Sequence, residues 1–267
     1  MEFRGRKISV IGAARSGIGA ARVLQRLGAE VLLSDSQAAA KLGEERIVEV
    51  AATGVTFVAG AGVAEALPEG TELVVTSPGV PRTVAVLQEA VRRGIPVWSE
   101  IELAYRLAEA PIIATTGTNG KTTTTLLIAA MLSEAGIANV VAGNVSADEI
   151  KKTLVEAADE SQGAILDAEI SSFQLEWVER FAPKVGVLTN VMPDHLNRHA
   201  SFEEYAQTKA RLFAAQGSED WAVINYDNPT ARAIGEGALP GKRLWFTRQV
   251  EELKADSVAW VEDGAVQ

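Results

Sequence analysis

The chain contains no cysteine, which removes disulfides, thiolate metal sites and cysteine nucleophiles together and makes the reducing cytoplasm the default compartment. Aromatic residues are scarce, at 6%. With Ala, Val, Leu and Gly abundant, that scarcity favours helices packed on parallel strands over an aromatic-rich β-sandwich. No long apolar run is present: Met1 to Lys7 leads straight into a short strand-like segment without the hydrophobic region of a signal peptide, and nothing approaches the ~20 apolar residues of a membrane span. The expectation is a soluble chain with no membrane insertion. Basic residues are in deficit, 25 Lys plus Arg against 35 Asp plus Glu. A net charge of −10 excludes a general affinity for nucleic acid or anionic membranes, so any anionic ligand must be held locally. What remains is an ordinary globular composition: 267 residues, 47% apolar, enough for two modest domains with a sizeable core.

The apolar pattern predicts an α/β fold. Strands are expected at 8–12, 31–35, 73–76 and 95–98, with helices over 20–27, 84–93 and 100–108; Gly28 follows the first helix as a C-terminal stop. Glu109-Ala110-Pro111 breaks the pattern, which sets the expected division at residues 1–109 and 110–267. The second half restarts with a strand at 112–116, a glycine loop and a helix over 122–135 stopped by Gly136. Further strands are expected at 163–169, 185–189 and 221–225, with a helix over 202–215 opened by the capping box Ser201-x-x-Glu204. Residues 258–266 read as one strand and a turn whose partner strand would come next.

Two loops carry chemistry. Gly12-Ala13-Ala14-Arg15-Ser16-Gly17 follows a strand and precedes a helix, with Asp35 closing the next strand, as in a dinucleotide-binding fingerprint. Ala14 stands where the backbone must approach a pyrophosphate, which weakens an NAD reading; the alternative is that Gly12 and Gly17 serve only turn and packing. The second loop, Thr115-Thr116-Gly117-Thr118-Asn119-Gly120-Lys121-Thr122-Thr123, suits phosphate better. A glycine turn and a helix N-terminus offer N–H donors, Lys121 a point charge and Thr122 a hydroxyl for Mg²⁺. Its first glycine position is occupied by Thr115, and Gly117 stands closer in.

Glu169, at the carboxyl end of a strand, is a candidate Mg²⁺ ligand or else a solvated edge residue. In Asp194-His195-Leu196-Asn197-Arg198-His199, zinc is disfavoured because Leu196 occupies the place of the zincin glutamate. Asp194 and His195 can reach a phosphate-bound magnesium site; the bland alternative is that Asp194 caps a helix. By itself Lys209 reads as a solvated cation.

Taken in order, Val10-Ile11-Gly12-x-x-x-Ser16-Gly17, Thr76-Ser77-Pro78-Gly79-Val80, Ser99-Glu100-Ile101-Glu102-Leu103, Gly117 to Thr123, Glu169-Ile170-Ser171-Ser172-Phe173-Gln174-Leu175 and Asp194-His195-Leu196 resemble the Mur ligases along essentially the whole chain, and most closely their D-glutamate-adding branch. The resemblance implies a Rossmann-like UDP-binding domain followed by a central ATPase domain. It also implies cytoplasmic peptidoglycan synthesis from UDP-N-acetylmuramoyl-L-alanine (UDP-MurNAc-L-Ala), D-glutamate and ATP with Mg²⁺, by a monomer. By the same resemblance Gly117, Thr118, Asn119, Gly120, Lys121, Thr122 and Thr123 hold the nucleotide, and Thr122 with Glu169 holds one Mg²⁺. His195 holds a second, positioned by a carbamylated Lys209. Arg15, Ser16, Asp35, Ser77 and Gly79 surround the UDP moiety, and Asn144 the substrate.

The chain departs from the family pattern in several places. Asn197 stands where Asp is usual, Val145-Ser146 where Ile-Gly is usual, and Asp167 where an apolar strand residue is expected. By the resemblance, the family's third, carboxyl-terminal domain is expected to be missing from these residues. The resulting expectation is a fragment or truncated product that binds the UDP substrate and ligates poorly. A binding-only remnant and an NAD-dependent oxidoreductase are the other two readings.

Overall fold

The computed structural model describes residues 2–145, 152–248, 258–262 and 265–266. In chain order the elements are β1 (Lys7–Ile11), α1 (Arg15–Arg26), β2 (Glu30–Asp35), α2 (Ala39–Leu42), α3 (Glu44–Ala51), β3 (Thr56–Ala59), α4 (Val63–Ala66), β4 (Leu73–Thr76), α5 (Ala85–Arg92), β5 (Val97–Ser99) and α6 (Glu100–Leu107). There follow β6 (Ile112–Thr116), α7 (Lys121–Glu134), β7 (Asn139–Gly143), α8 (Leu154–Glu160), β8 (Ile165–Glu169), β9 (Val185–Leu188), α9 (Phe202–Ala210), β10 (Trp221–Asn225), α10 (Pro229–Glu236), β11 (Lys242–Thr247), β12 (Val258–Glu262) and β13 (Ala265–Val266). They form two compact units, one of Met1–Ala108 with Thr153–Glu160 and Glu176–Glu179, the other of Glu109–Lys152, Ser161–Leu175 and Arg180–Gln267.

The first unit holds a parallel sheet of order β3-β2-β1-β4-β5. Its order reverses between β1 and β4, so a crevice opens beyond their carboxyl ends. The sheet centre is largely apolar, with Val10, Leu33, Leu73, Val74 and Val75 all 0% exposed and Ser9 and Ser34 buried among them, as expected for strands covered on both faces. The small residues Gly17, Ala20 and Ala21 on α1 are buried. A Cβ on Gly17 would lie 1.9 Å from the Gly12 carbonyl oxygen, so glycine is required where the helix starts against the turn.

Glu100 and Glu102, both buried, explain why two later stretches belong to this unit. Glu100 Oε1 accepts from the Val155 N–H at 2.6 Å, at the start of α8. Glu102 Oε2 accepts from the Glu179 N–H at 2.9 Å, and its other oxygen accepts from Arg106 Nε at 2.7 Å. Ion pairs Arg22–Glu156 and Arg26–Asp159 hold α8 from outside. Such carboxylate to N–H bonds are the stronger kind, and a helix N-terminus favours the negative charge.

The second unit holds the sheet β13-β12-β11-β10-β9-β6-β8-β7, parallel apart from the β12–β13 pair. β6 sits between β8 and β9, so the chain turns in opposite directions from it. The carboxyl ends of β6, β7, β8 and β9 therefore collect the loops that carry Gly117, Asn144, Glu169 and Asn190 at one edge.

Two expectations are corrected here. Residues 258–266 hold their own partner strand, because Val261 and Glu262 pair antiparallel with Val266 and Ala265. The helix expected over 202–215 ends at Ala210, and beyond it Leu212, Phe213 and Ala214 donate to carbonyls three residues back. Tighter turns replace the α-helix there.

Candidate active site

The phosphate loop of the second unit is built by chain geometry before any ligand is considered. Gly120 takes a left-handed conformation, φ 82°, immediately before α7, and no side chain caps that helix. The N–H groups of the first turn are left for solvent or an anion, with the helix dipole adding positive potential. Asn190, at the end of β9, clamps the loop. Its Oδ1 accepts from the Asn119 N–H at 3.0 Å and its Nδ2 donates to the Asn119 carbonyl at 2.9 Å. Thr189 Oγ1 donates to the same carbonyl at 2.7 Å. Lys121 Nζ is folded back onto the Thr118 carbonyl at 3.0 Å.

Glu169 is 2% exposed, so the solvated-edge alternative is removed. Its Oε2 accepts from Thr122 Oγ1 at 2.5 Å and its Oε1 from Asn144 Nδ2 at 3.2 Å. Asn144 also donates its backbone N–H to the Glu169 carbonyl at 2.9 Å, and Gly143 makes this approach possible. At φ 94° a Cβ there would lie 2.4 Å from that carbonyl oxygen. Ser146 of the altered loop lies outside the described residues. A hydroxyl and a carboxylate in contact beside an uncapped helix N-terminus form a hard oxygen donor set that fits Mg²⁺. Among the described residues no group of three or more His, Cys, Asp or Glu could cage a metal. The donor set therefore suits an ion that takes one or two protein ligands and completes its shell with phosphate and water.

Lys209 is 1% exposed and not a solvated surface cation. Its Nζ donates to the Gly117 carbonyl at 2.8 Å and lies 4.8 Å from the Tyr205 ring centroid. Burial, then the neighbouring Lys121 charge, push its amine down to about 7, against the opposing pull of Asp194 and Glu169. Tyr205 ties this group to the loop, its hydroxyl 3.2 Å from Thr118 Oγ1.

His195 adopts φ 52°, a left-handed conformation uncommon for a non-glycine residue. Its ring lies 4.9 Å from Phe173 and 6.3 Å from Tyr205. Asp194 does not cap a helix: its Oδ1 accepts from the His195 N–H at 2.8 Å, while α9 is capped by Ser201, which accepts from the Glu204 N–H. Asn197 is exposed.

In the first unit a pocket lined by Ile11, Gly12, Asp35, Gly62, Val80 and Val84 opens at the carboxyl edge of the sheet. Asp35 Oδ2 accepts from the Ala13 N–H at 2.9 Å and Oδ1 from the Gln37 N–H at 2.9 Å. Each oxygen makes one bond that shapes the loops and keeps a further acceptor position. Ser77 is buried and packs under Gly12, where a Cβ would lie 3.0 Å from its own. Arg15 and Gly79 are exposed and Ser16 half-buried.

The Mur ligase middle domain family matches residues 115–255, and the MurD-like Mur ligase N-terminal domain family matches residues 6–99. The chain belongs to the Mur ligase family. Among curated Mur ligases, a UDP-N-acetylmuramoylalanine-D-glutamate ligase of Pelotomaculum thermopropionicum is 43% identical over 99% of this chain and 56% of its own length. The ligase of the same name from Thermoanaerobacter pseudethanolicus is 42% identical over 100% of this chain and 56% of its own. The chain thus spans about half the length of the curated relatives it matches. Among solved Mur ligase structures, UDP-N-acetylmuramate:L-alanyl-γ-D-glutamyl-meso-diaminopimelate ligase of Neisseria meningitidis superimposes with a TM-score of 0.64 at 20% identity, over 91% of this chain and 78% of its own. The UDP-N-acetylmuramate-alanine ligase of Thermotoga maritima gives a TM-score of 0.55 at 19% identity, over 95% and 54%. At those identities the likeness is one of fold: two parallel-sheet α/β units of the Mur ligase type.

Sequence reasoning on this Mur ligase chain missed the Asn190 clamp and the group formed by Ser172, Phe173, His199 and Tyr205. Asn190 had a legible signal, a polar pair ending an apolar strand at the edge where ligands bind. The aromatic group had none, because its members meet only in three dimensions.

Proposed function

We propose that the chain carries the UDP-sugar-binding and ATP-binding parts of a cytoplasmic ligase that adds D-glutamate to UDP-MurNAc-L-Ala in peptidoglycan precursor synthesis, acting as a monomer. The observation that carries this reading is the contact between Thr122 and Glu169 at 2.5 Å beside the Gly-Lys-Thr loop. It joins a phosphate cradle to a magnesium ligand set, which a dinucleotide-binding enzyme does not need.

In this reading ATP transfers its γ-phosphoryl group to the L-alanyl carboxylate, forming an acyl phosphate and ADP. The D-glutamate amine attacks the carbonyl carbon; the C–N bond forms, the C–O bond to phosphate breaks, and phosphate and one proton leave. Phosphoryl transfer of this kind rests on positioning and charge neutralisation. Gly117, Thr118, Asn119, Gly120 and Thr123 shape the cradle, and Lys121 exchanges the Thr118 carbonyl for phosphate oxygens. Mg²⁺, when bound, neutralises phosphate charge; Thr122 with Glu169 would hold one ion and His195 a second. Asn144 orients Glu169 and faces the substrate. Lys209, with its amine near neutrality, adds CO2 and releases a proton, becoming an anion beside the metals. Arg15, Ser16, Asp35, Ser77 and Gly79 surround the UDP moiety. An NAD-dependent oxidoreductase is disfavoured because it leaves the Lys121 loop and the Thr122–Glu169 contact without a role.

The test is a calorimetric titration of the chain with UDP-MurNAc-L-Ala and, separately, with NADH. Saturable binding of the UDP-sugar alone is expected. Binding of NADH without the UDP-sugar overturns the reading.

A further inference from the structure

His195 presents a problem of positioning. It sits in an exposed loop with φ 52°; its N–H donates to Asp194 Oδ1, its carbonyl accepts from the Arg198 and His199 N–H groups, and its Nε2 lies 3.6 Å from Asp194 Oδ2. The backbone bonds hold the loop and leave the ring to turn, and an exposed carboxylate at that distance does not fix it. What the ring rests against is Phe173, with centroids 4.9 Å apart.

Phe173 is itself held on two further sides. Arg198 lies over its ring, with Cζ 4.8 Å from the centroid. The second histidine of the chain, His199, stacks on it at 5.8 Å with 21° between the planes. Unlike His195, His199 is buried, at 3% exposure. Its Nε2 shares a hydrogen bond of 3.1 Å with Ser172 Oγ, and its ring meets Tyr205 at 5.2 Å. Ser172 precedes Phe173 and follows Glu169 by three positions in the chain, so a bond that fixes Ser172 also limits where the Phe173 backbone stands.

We propose that His199 is a positioning residue for His195: bonded to Ser172 and stacked on Phe173, it fixes the aromatic surface on which the His195 imidazole is oriented toward the metal site. A chain of contacts that orients a ligand from behind is what metal sites use to hold imidazole geometry. The bond matters more for being buried, because removing one partner leaves the other polar group unsatisfied. The inference rests on the reading of His195 as a metal ligand, and its test separates the two.

The chain has only two histidines, so its imidazole Cε1–H groups give two resonances that single-histidine variants assign. Two variants break the Ser172 bond from opposite sides: His199→Phe keeps a stacked ring, and Ser172→Ala keeps His199. In the full chain without metal, the His195 signal is expected to carry the ring-current shift of Phe173 and to lose most of it in both variants. On titration with Mn²⁺ and a non-hydrolysable ATP analogue, the His195 signal broadens, and the midpoint rises about tenfold in both variants. Thermal melts check that both variants fold. An unchanged His195 shift in two folded variants overturns the positioning role, whatever the metal does. A variant-sensitive shift without Mn²⁺ broadening in the unaltered chain overturns the metal reading of His195 and with it the metal half of the proposal, while the ring contact stands.

Discussion

Asp167 is a carboxylate in the wrong place for stability, and replacing it gives a quantitative test. It lies on β8 between Ile113 of β6 and Val141 of β7, is 0% exposed, and neither side-chain oxygen has a hydrogen-bond partner. Burial pushes its carboxyl up to about 7 from 3.8. A raised carboxylate keeps its proton in the folded chain where the unfolded chain has lost it. Stability therefore falls as pH rises from about 4 to about 7, and the full cost is present above that range. The cost reaches about 2 kcal/mol at pH 5.5 and about 4 kcal/mol at pH 8. Asp167→Val removes it and adds a packing term that does not depend on pH. The difference between variant and parent in urea-unfolding free energy should therefore grow by about 2 kcal/mol from pH 5.5 to pH 8, independent of how well valine fits. A difference that stays flat across that range refutes the reasoning and means that the carboxylate is hydrated or paired.

Other outcomes follow from the same geometry. Glu102→Ala removes the buried partner of Arg106 Nε and frees the Glu179 N–H, while Arg106 keeps its bond to Glu179 Oε2 at 2.6 Å; a loss of about 1–3 kcal/mol is expected in urea unfolding. Gly143→Ala drives a Cβ to 2.4 Å from the Glu169 carbonyl at a φ of 94°; it should lower stability by about 2–3 kcal/mol and weaken nucleotide binding, read by melts and calorimetry. Lys209, lowered to about 7 from 10.5, loses its proton in the folded chain first, so its burial penalty is present below about pH 7 and fades as pH rises toward 10.5. Under ¹³C-labelled bicarbonate a carbamate carbonyl signal should appear at pH 8, weaken at pH 6 and vanish in Lys209→Arg; its absence at pH 8 removes the carbamate from the account.

The parts of this chain legible in the sequence are those written locally. β1, Gly12 and α1, and likewise β6, Gly120 and α7, are each one strand, one glycine turn and one helix within a short span, so periodicity and glycine placement suffice. Lys209 reads as a surface charge in isolation because burial is a property of the folded neighbourhood, and only its place in a family pattern marked it; Glu169 was marked by its position at a strand end, with its burial left open. The roles of Glu100 and Glu102 were not legible at all, since their acceptor oxygens meet N–H groups at Val155 and Glu179. α3 and β3 were missed because they are shallow: Val50 is the buried residue of α3, and β3 is exposed at Thr56 and half-buried from Phe57 to Ala59. Their apolar signal is correspondingly weak.

Lys121, Thr122 and Glu169 are proposed to form a site for magnesium-bound nucleoside triphosphate. Calorimetry with a non-hydrolysable ATP analogue, with and without Mg²⁺, tests it on the parent chain, Lys121→Ala and Glu169→Gln. Expected are Mg²⁺-dependent binding by the parent, loss of binding in Lys121→Ala, and weak binding indifferent to Mg²⁺ in Glu169→Gln. Equal binding by all three chains, or binding by the parent that ignores Mg²⁺, contradicts it.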